Sequence, residues 1–205
     1  MNPETEANKS HDSDLTEAQW AILAPLIPRP EGAGRPLKYD LRQIINAILY
    51  LVRTGCQWRF LPHCYPNYNT VYYHFRKWSK EGTLDQINRT LVKTDRKRLA
   101  RNEEPSGAIL DSQSVKTTEA GGEKGYHAGK KINGRSRHTM TDTLGHLLKV
   151  VVTAADLSDR DGAQKVITSL PATTRAALKK IWADGNYTGD TFLTWLTNAI
   201  AGVLL

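Results

Sequence analysis

Apolar residues recur at helical spacing through the first half of the chain and at a spacing of two through much of the second, so two kinds of architecture are expected. Leu41, Ile44, Ile45, Ile48, Leu49 and Val52 follow i, i+3, i+4, i+7, i+8, i+11, the stripe of an amphipathic helix that stops at Thr54-Gly55. A shorter helix precedes it, with Thr16 and Gln19 as a capping box, Leu15 and Trp20 as a hydrophobic staple, and Pro25 as its stop. Asp40 with Gln43, and Tyr39 with Ile44, repeat both devices at the start of the long helix. After an aromatic linker, Asn69 is expected to cap a third helix with Val71, Phe75 and Trp78 inward and Tyr72, Tyr73, His74, Arg76 and Lys77 outward. A fourth helix is expected from Leu84 to Arg101.

Beyond Gly107 the pattern predicts a strand over Ala108 to Val115, a glycine-rich loop over Thr117 to Gly129, a hairpin turn at Asn133-Gly134, and a strand reaching Asp142. Asp142-Thr143-Leu144-Gly145 turns the chain into a further strand, Leu147 to Thr153. Three consecutive strands joined by short turns are expected to be antiparallel neighbours. Helical pieces follow over Asp161 to Leu170 and Thr173 to Leu178, then a strand over Lys180 to Asp184. Thr188 is expected to cap a last helix with Phe192, Trp195, Leu196, Ala199 and Ile200 on one face. The organisation expected is a polar, disordered segment 1–13, an all-α domain 14–104, and an α/β domain with a mixed sheet over 105–205.

Composition changes this picture little, and charge changes it more. The chain has 205 residues, 40% hydrophobic and 24% charged, enough for a sizeable core. It has no apolar run of about 18 residues and no signal-peptide order at its start, which excludes a membrane helix and leads us to expect a cytoplasmic protein. Cys56 and Cys64 lack zinc-finger spacing and read as reduced thiols. The net charge of +7 favours a polyanionic partner. It gathers in two clusters: Lys93, Arg96, Lys97, Arg98 and Arg101, and Lys124, Lys130, Lys131, Arg135 and Arg137. Phosphate contacts would use such clusters; the alternative is a solvated face, and in the first cluster also service to the helix dipole. The outer face of the third helix suits a DNA major groove, as in a helix-turn-helix, against the alternative of a three-helix bundle that is polar outside.

Two apolar runs end in aspartate. Ile109-Leu110-Asp111 sets a carboxylate inside what reads as a buried strand, where desolvation is unfavourable without a nearby cation, and Ile181-Trp182-Ala183-Asp184 ends a short strand in another. Cutting or joining a phosphodiester through two Mg2+ or Mn2+ ions needs carboxylates that orient both metals. Asp111 and Asp184 are the candidates, if their strands are neighbours. Asp142, Asp156, Asp159 and Asp161 read as turn and capping acids.

Several motifs recur in order: Leu15-Thr16-Glu17-Ala18-Gln19-Trp20; Gly55-Cys56-Gln57-Trp58-Arg59 with Leu61-Pro62; Asp111-Ser112-Gln113-Ser114-Val115-Lys116-Thr117; Gly129-Lys130-Lys131 to Arg137-His138; Asp142-Thr143-Leu144-Gly145; and Ala183-Asp184-Gly185 with Tyr187. Over nearly its whole length the chain thereby resembles the DDE transposases of bacterial insertion sequences, in the group named for the fifth insertion sequence. The resemblance implies an RNase H-like second half and a first half that binds the element's terminal inverted repeats. It also implies a homo-oligomer on double-stranded DNA, Asp111 and Asp184 as the first two catalytic acids and metal ligands, and a DNA-facing basic segment that includes His138.

Departures from the family pattern fall in two places. The usual Lys-Gly-Arg-Lys-Arg-His is here Asn133-Gly134-Arg135-Ser136-Arg137-His138, and His127 replaces a usual aspartate; both read as changes to loop contacts. The family's third acid is a glutamate well downstream, in a Tyr, Arg, Glu, Lys series, whereas here only Asp190 follows Asp184, and it reads as a helix-start acid. The expectation is a transposase incomplete at its C-terminus and impaired on its own. The alternatives are a non-catalytic DNA-binding regulator and a host RNase H-like nuclease.

Overall fold

A computed structural model describes residues 11–28, 39–118, 122–200 and 202–205. The expected loop over 29–38 and most of the expected disordered start lie outside these residues. The chain divides into two compact units, one ending at Asn88 and the other beginning at Arg89. That division falls inside the fourth helix, ahead of the expected boundary between 104 and 105, so the helix's basic last turns belong to the second unit.

The first unit is helical: α1 (Glu17–Leu23), α2 (Leu41–Thr54), α3 (Tyr68–Lys80) and the first residues of α4 (Thr83–Arg98). Thr16 closes both bonds of its capping box with Gln19. Asp40 caps α2 through the Arg42 N–H, and Gly55, with φ of 67°, ends it in the left-handed conformation. Leu41, Ile44, Ile45 and Ile48 are buried with Leu23, Val71 and Trp78. Val52, the last member of the stripe, is 71% exposed, because the final turn of α2 runs past the core. The cap of α3 is Asn67, not Asn69: its side chain accepts from the Asn69 N–H, so the helix begins at Tyr68.

The second unit is a five-stranded mixed sheet with helices: β1 (Gly107–Lys116), β2 (Gly125–His127), β3 (Ile132–Asp142), β4 (Leu147–Ala154), α5 (Asp159–Ser169), α6 (Ala172–Ala177), β5 (Lys180–Trp182) and α7 (Asp190–Ala199). β1 pairs antiparallel with β3, β3 antiparallel with β4 and β2, and β5 joins the other edge of β1 in parallel. Asn133-Gly134 is not a turn but lies within β3, where Gly134 stands opposite Lys116. Gly134 is required there by close approach, since a Cβ would stand 2.0 Å from the Val115 carbonyl oxygen. The chain turns earlier, and Lys131 takes the left-handed conformation at φ of 51°. Gly189, rather than Thr188, precedes α7 as its N-cap.

Strand alternation sorts the sheet into two unlike faces. Ala108, Leu110, Met140 and Ile181 point one way into a core with Val166, Ile167, Phe192 and Leu196 from α5 and α7. On the other face Ile109, Val150, Val152 and Trp182 remain 43%, 39%, 56% and 44% exposed.

Candidate active site and nucleic-acid surface

The parallel register of β1 and β5 ends at Ile109 opposite Trp182. Two residues further along each chain stands an aspartate, Asp111 on β1 and Asp184 just past β5. The parallel pairing therefore brings the stretch that carries Asp111 beside the strand that leads into Asp184. Both are exposed. The burial expected of Asp111 is corrected: β1 is covered on one face only, and the side chain lies on the open face, across from Thr139. Its Oδ1 accepts the Ser112 N–H at 2.8 Å, which does not require a cation beside it. Asp184 caps a 3-10 turn, Gly185–Tyr187, accepting the Asn186 N–H at 2.9 Å and the Asn186 side-chain amide at 3.2 Å.

Two carboxylates with spare lone pairs are hard oxygen donors of the kind Mg2+ takes, which it supplements with water and substrate phosphate. Among the described residues no group of three or more His, Cys, Asp or Glu side chains could hold a metal ion. Arg137 and Arg135 share the open face, standing opposite Gln113 and Val115 in the β1–β3 register, and Arg137 donates to Gln113.

Comparison with known proteins bears on the same residues. A family of IS4/5-family transposases (DUF4096) matches residues 15–88, and a transposase DDE domain matches residues 102–201. The chain is 30% identical over 115 residues to an insertion element IS402 uncharacterized 16.2 kDa protein from Burkholderia cepacia, covering 52% of this chain and 76% of that one. The chain belongs to the insertion-sequence transposases. A further relative, uncharacterized protein y4sN of Sinorhizobium fredii, is 27% identical over 79 residues, 38% of this chain; the chain spans 63% of that protein's length. No solved structure matches the chain. The DDE domain implies an RNase H-like fold for the second unit, and the family generally uses divalent metal ions and implies DNA substrates.

Within this transposase-family chain, the basic residues predicted to meet DNA fall into different environments. On α3, Tyr72, Tyr73, Arg76 and Lys77 are exposed and line one surface depression with Asn69 and Lys80. His74 turns partly inward against the Trp78 ring at 5.2 Å, and burial, with Lys77 next, holds its pKa below the ordinary value. Lys130 and Lys131 are exposed at the β2–β3 turn. His138 is not on the surface: it lies on the covered face of β3, fully buried, with Nε2 3.0 Å from the Thr153 hydroxyl. Ser136, read as a loop change, is a buried strand residue 2.9 Å from the Ser114 hydroxyl.

Arg96 is a second correction. It is 6% exposed, donates to Asp142 and gives its Nε–H to the Asn102 carbonyl at 2.7 Å. Asp142 is fully buried and also accepts the Leu144 and His146 backbone N–H groups, each at 2.9 Å. Burial pushes this carboxyl up, but bonds from His146, Arg96 and Leu144 outweigh it and hold the pKa below the ordinary value. His146 bridges Asp142 and Asp95, and its pKa is raised, chiefly by Asp142. The turn role expected of Asp142 is present; its cation is what pattern reading missed. The signal was parity: Asp142 shares the inward parity of Met140, and an inward acid needs a cation.

Proposed function

We propose that this chain binds the terminal inverted repeats of its element through the helical unit, and that Asp111 and Asp184 form the acidic core of a metal-dependent DNA cutting and joining site. The observation that carries this reading is the parallel pairing of β1 with β5, which sets β1, with Asp111 on the sheet face that also bears Arg135 and Arg137, beside the strand that leads into Asp184. Asp111 and Asp184 would hold Mg2+ or Mn2+, which supplies Lewis-acid activation of the phosphodiester and of the attacking hydroxyl. The chain's own groups position the DNA: Arg137 and Arg135 along β3 from Thr139, which stands opposite Asp111, Lys130 and Lys131 at the far β2–β3 turn, and Tyr72, Tyr73, Arg76 and Lys77 on α3, in the manner of a helix-turn-helix. An element has two inverted-repeat ends, so this reading takes two copies of the chain on duplex DNA, one for each end.

A second reading, DNA binding without catalysis, is favoured by the absence of a third acid beside the pair among the described residues. Incubation with inverted-repeat DNA and Mg2+ separates the two. Specific nicking that disappears in Asp111→Asn supports the enzyme; tight, sequence-specific binding with no nicking in the parent chain supports the regulator.

A further inference from the structure

The outer face of α3 carries an arginine whose surroundings differ from those of the lysines beside it. Asn69, Tyr72, Tyr73, Arg76, Lys77 and Lys80 recur at i, i+3, i+4, i+7, i+8 and i+11, the spacing of the α2 stripe, and all six are exposed. At about 100° per residue they span about 140° of the helix surface, with Tyr72 and Lys77 at its two margins and Arg76 between them.

Tyr72 has a fixed place on this face. Its ring meets that of Trp58 edge-on at 5.0 Å and 66°, and Trp58 lies 5.3 Å from Phe75, which packs against the helical core. The Tyr72 ring is accordingly less exposed than that of Tyr73, one residue on. The Arg76 guanidinium stands over the Tyr72 ring, 5.7 Å from its centroid, within the distance at which a cation is attracted to an aromatic face. Phe75, Trp58, Tyr72 and Arg76 thus form a continuous ladder from the core of the unit to its surface.

Stacking engages the face of a guanidinium and leaves its N–H donors, which lie in the plane, open. Arg42 and Arg53 of the same unit give theirs to Glu17 and to backbone carbonyls, whereas among the described residues those of Arg76 give to no oxygen. Lys77 and Lys80 are point charges on flexible stems, which suits phosphate. A planar fork already fixed in orientation suits a pair of acceptors in one plane, and in the major groove that pair is the O6 and N7 of guanine.

We infer that Arg76 is the specificity-determining residue of α3, reading a guanine through O6 and N7, and that Tyr72, braced by Trp58, is the positioning residue that aims it. The inference rests on the reading of α3 as the helix that faces duplex DNA. A fork held in its bound orientation loses less freedom on binding, so part of the discrimination depends on the ring beneath it.

The test takes the full chain and a pool of DNA duplexes with a randomised central segment, from which the parent is expected to enrich a motif containing guanine. Fluorescence anisotropy with the enriched duplex and with a scrambled copy gives a specificity ratio. Arg76→Lys, which keeps the charge, is expected to lower this ratio about 10-fold, and Tyr72→Leu, which frees the guanidinium, to lower it less. Each motif guanine is then replaced in turn by 7-deazaguanine, which lacks the N7 acceptor. At one position this should weaken the parent and leave Arg76→Lys unaffected, a result that neither a phosphate contact nor a loss of folding gives. An unchanged ratio in Arg76→Lys, a motif without guanine, or equal 7-deazaguanine losses in parent and variant at every position overturns the guanine reading and leaves DNA binding by the chain standing. An unchanged ratio in Tyr72→Leu removes Tyr72 from the inference. If the parent enriches no motif, sequence-specific binding falls, and the inference falls with it.

Discussion

The two basic clusters look alike in the sequence and end in opposite circumstances. In the first, each of four cations has an acid: Lys93 with Glu104 at 2.6 Å, Arg96 with Asp142, Lys97 with Glu103 at 2.6 Å, and Arg98 with Asp95 at 2.8 Å. In the second, Lys130 and Lys131 extend from a turn, and Arg135 and Arg137 lie on the open sheet face with neutral partners, the Glu123 carbonyl and Gln113. Arg96 alone of the four fastens α4 to the β3–β4 turn; the other three pair within the helix or with the acids just after it. Clustered charge around β3 has no acid paired to it among the described residues. What separates them is acids: Glu103, Glu104 and Asp95 lie close by in the sequence, and only Asp142, the partner of the buried Arg96, is distant enough to escape a local count of charge.

The largest expected effect tests the structural half of this contrast. Arg96→Ala strands Asp142 in the core, and breaking a buried pair in this way typically costs about 3 to 5 kcal/mol. Hydrogen exchange across β3 should show the loss, and urea unfolding should shift to match. A loss below about 1 kcal/mol, the value of a surface pair, would mean that Arg96 is as dispensable as its exposed neighbours.

The next effect falls on DNA. Replacing Lys130, Lys131 and Arg137 together by Ala should leave stability within about 0.5 kcal/mol, since none is buried or paired to an acid among the described residues. The dependence of duplex affinity on salt should flatten by about 0.9 in log–log slope for each phosphate that the variant no longer neutralises. Fluorescence anisotropy across a salt series gives the slope, and an unchanged slope would take the open face out of the DNA surface.

A smaller effect is set by pH. His146 faces Asp142 and Asp95, with Arg96 and Arg98 bonded to the same two carboxylates. Its folded pKa is raised above the ordinary 6.5, so its contribution to stability is complete below that value and fades as pH climbs through the raised one. Asp142 runs the other way: its folded pKa is depressed, so its contribution is present above the ordinary 3.8 and fades as pH falls through the lower value. The second unit should be most stable between the two. His146→Gln should flatten the alkaline side of a melting-temperature profile and spare the acid side; a profile unchanged on both sides would show that the His146 bridge carries no stability.

Legibility in the sequence followed the range of the interaction. The Thr16–Gln19 capping box and the α2 stripe depend on residues within a turn or two, and they appear where the pattern put them. Asp111 and Asp184 stood out in the sequence because both end apolar runs, but the exposure of Asp111 depends on which sheet face other elements cover, and a single strand does not encode that. Gly134 looked like a turn because Asn-Gly is a strong local signal, and a non-local contact with Val115 overrode it. His138 and Arg96 failed alike: their residue types suit DNA, and only the parity of a distant strand placed one under the sheet and the other against Asp142.

The smallest expected effect bears hardest on the contrast. Lys97 and Arg98 have side chains 62% and 72% exposed, so their pairs with Glu103 and Asp95 are solvent-screened. Removing either cation should change stability by no more than about 0.5 kcal/mol. Neither would be missed by the fold. Surface acids can nevertheless yield to phosphate, which competes for the same cations, so exposure alone does not decide whether this cluster touches DNA. If the neighbouring acids hold these side chains, Lys97→Ala with Arg98→Ala leaves the salt slope unchanged, while Glu103→Gln with Asp95→Asn releases the cations and steepens it. If the first double variant flattens the slope as much as removal of Lys130 and Lys131 does, pairing in the free chain is no guide to use on DNA. The two clusters would then differ only at Arg96, the one cation that burial removes from competition.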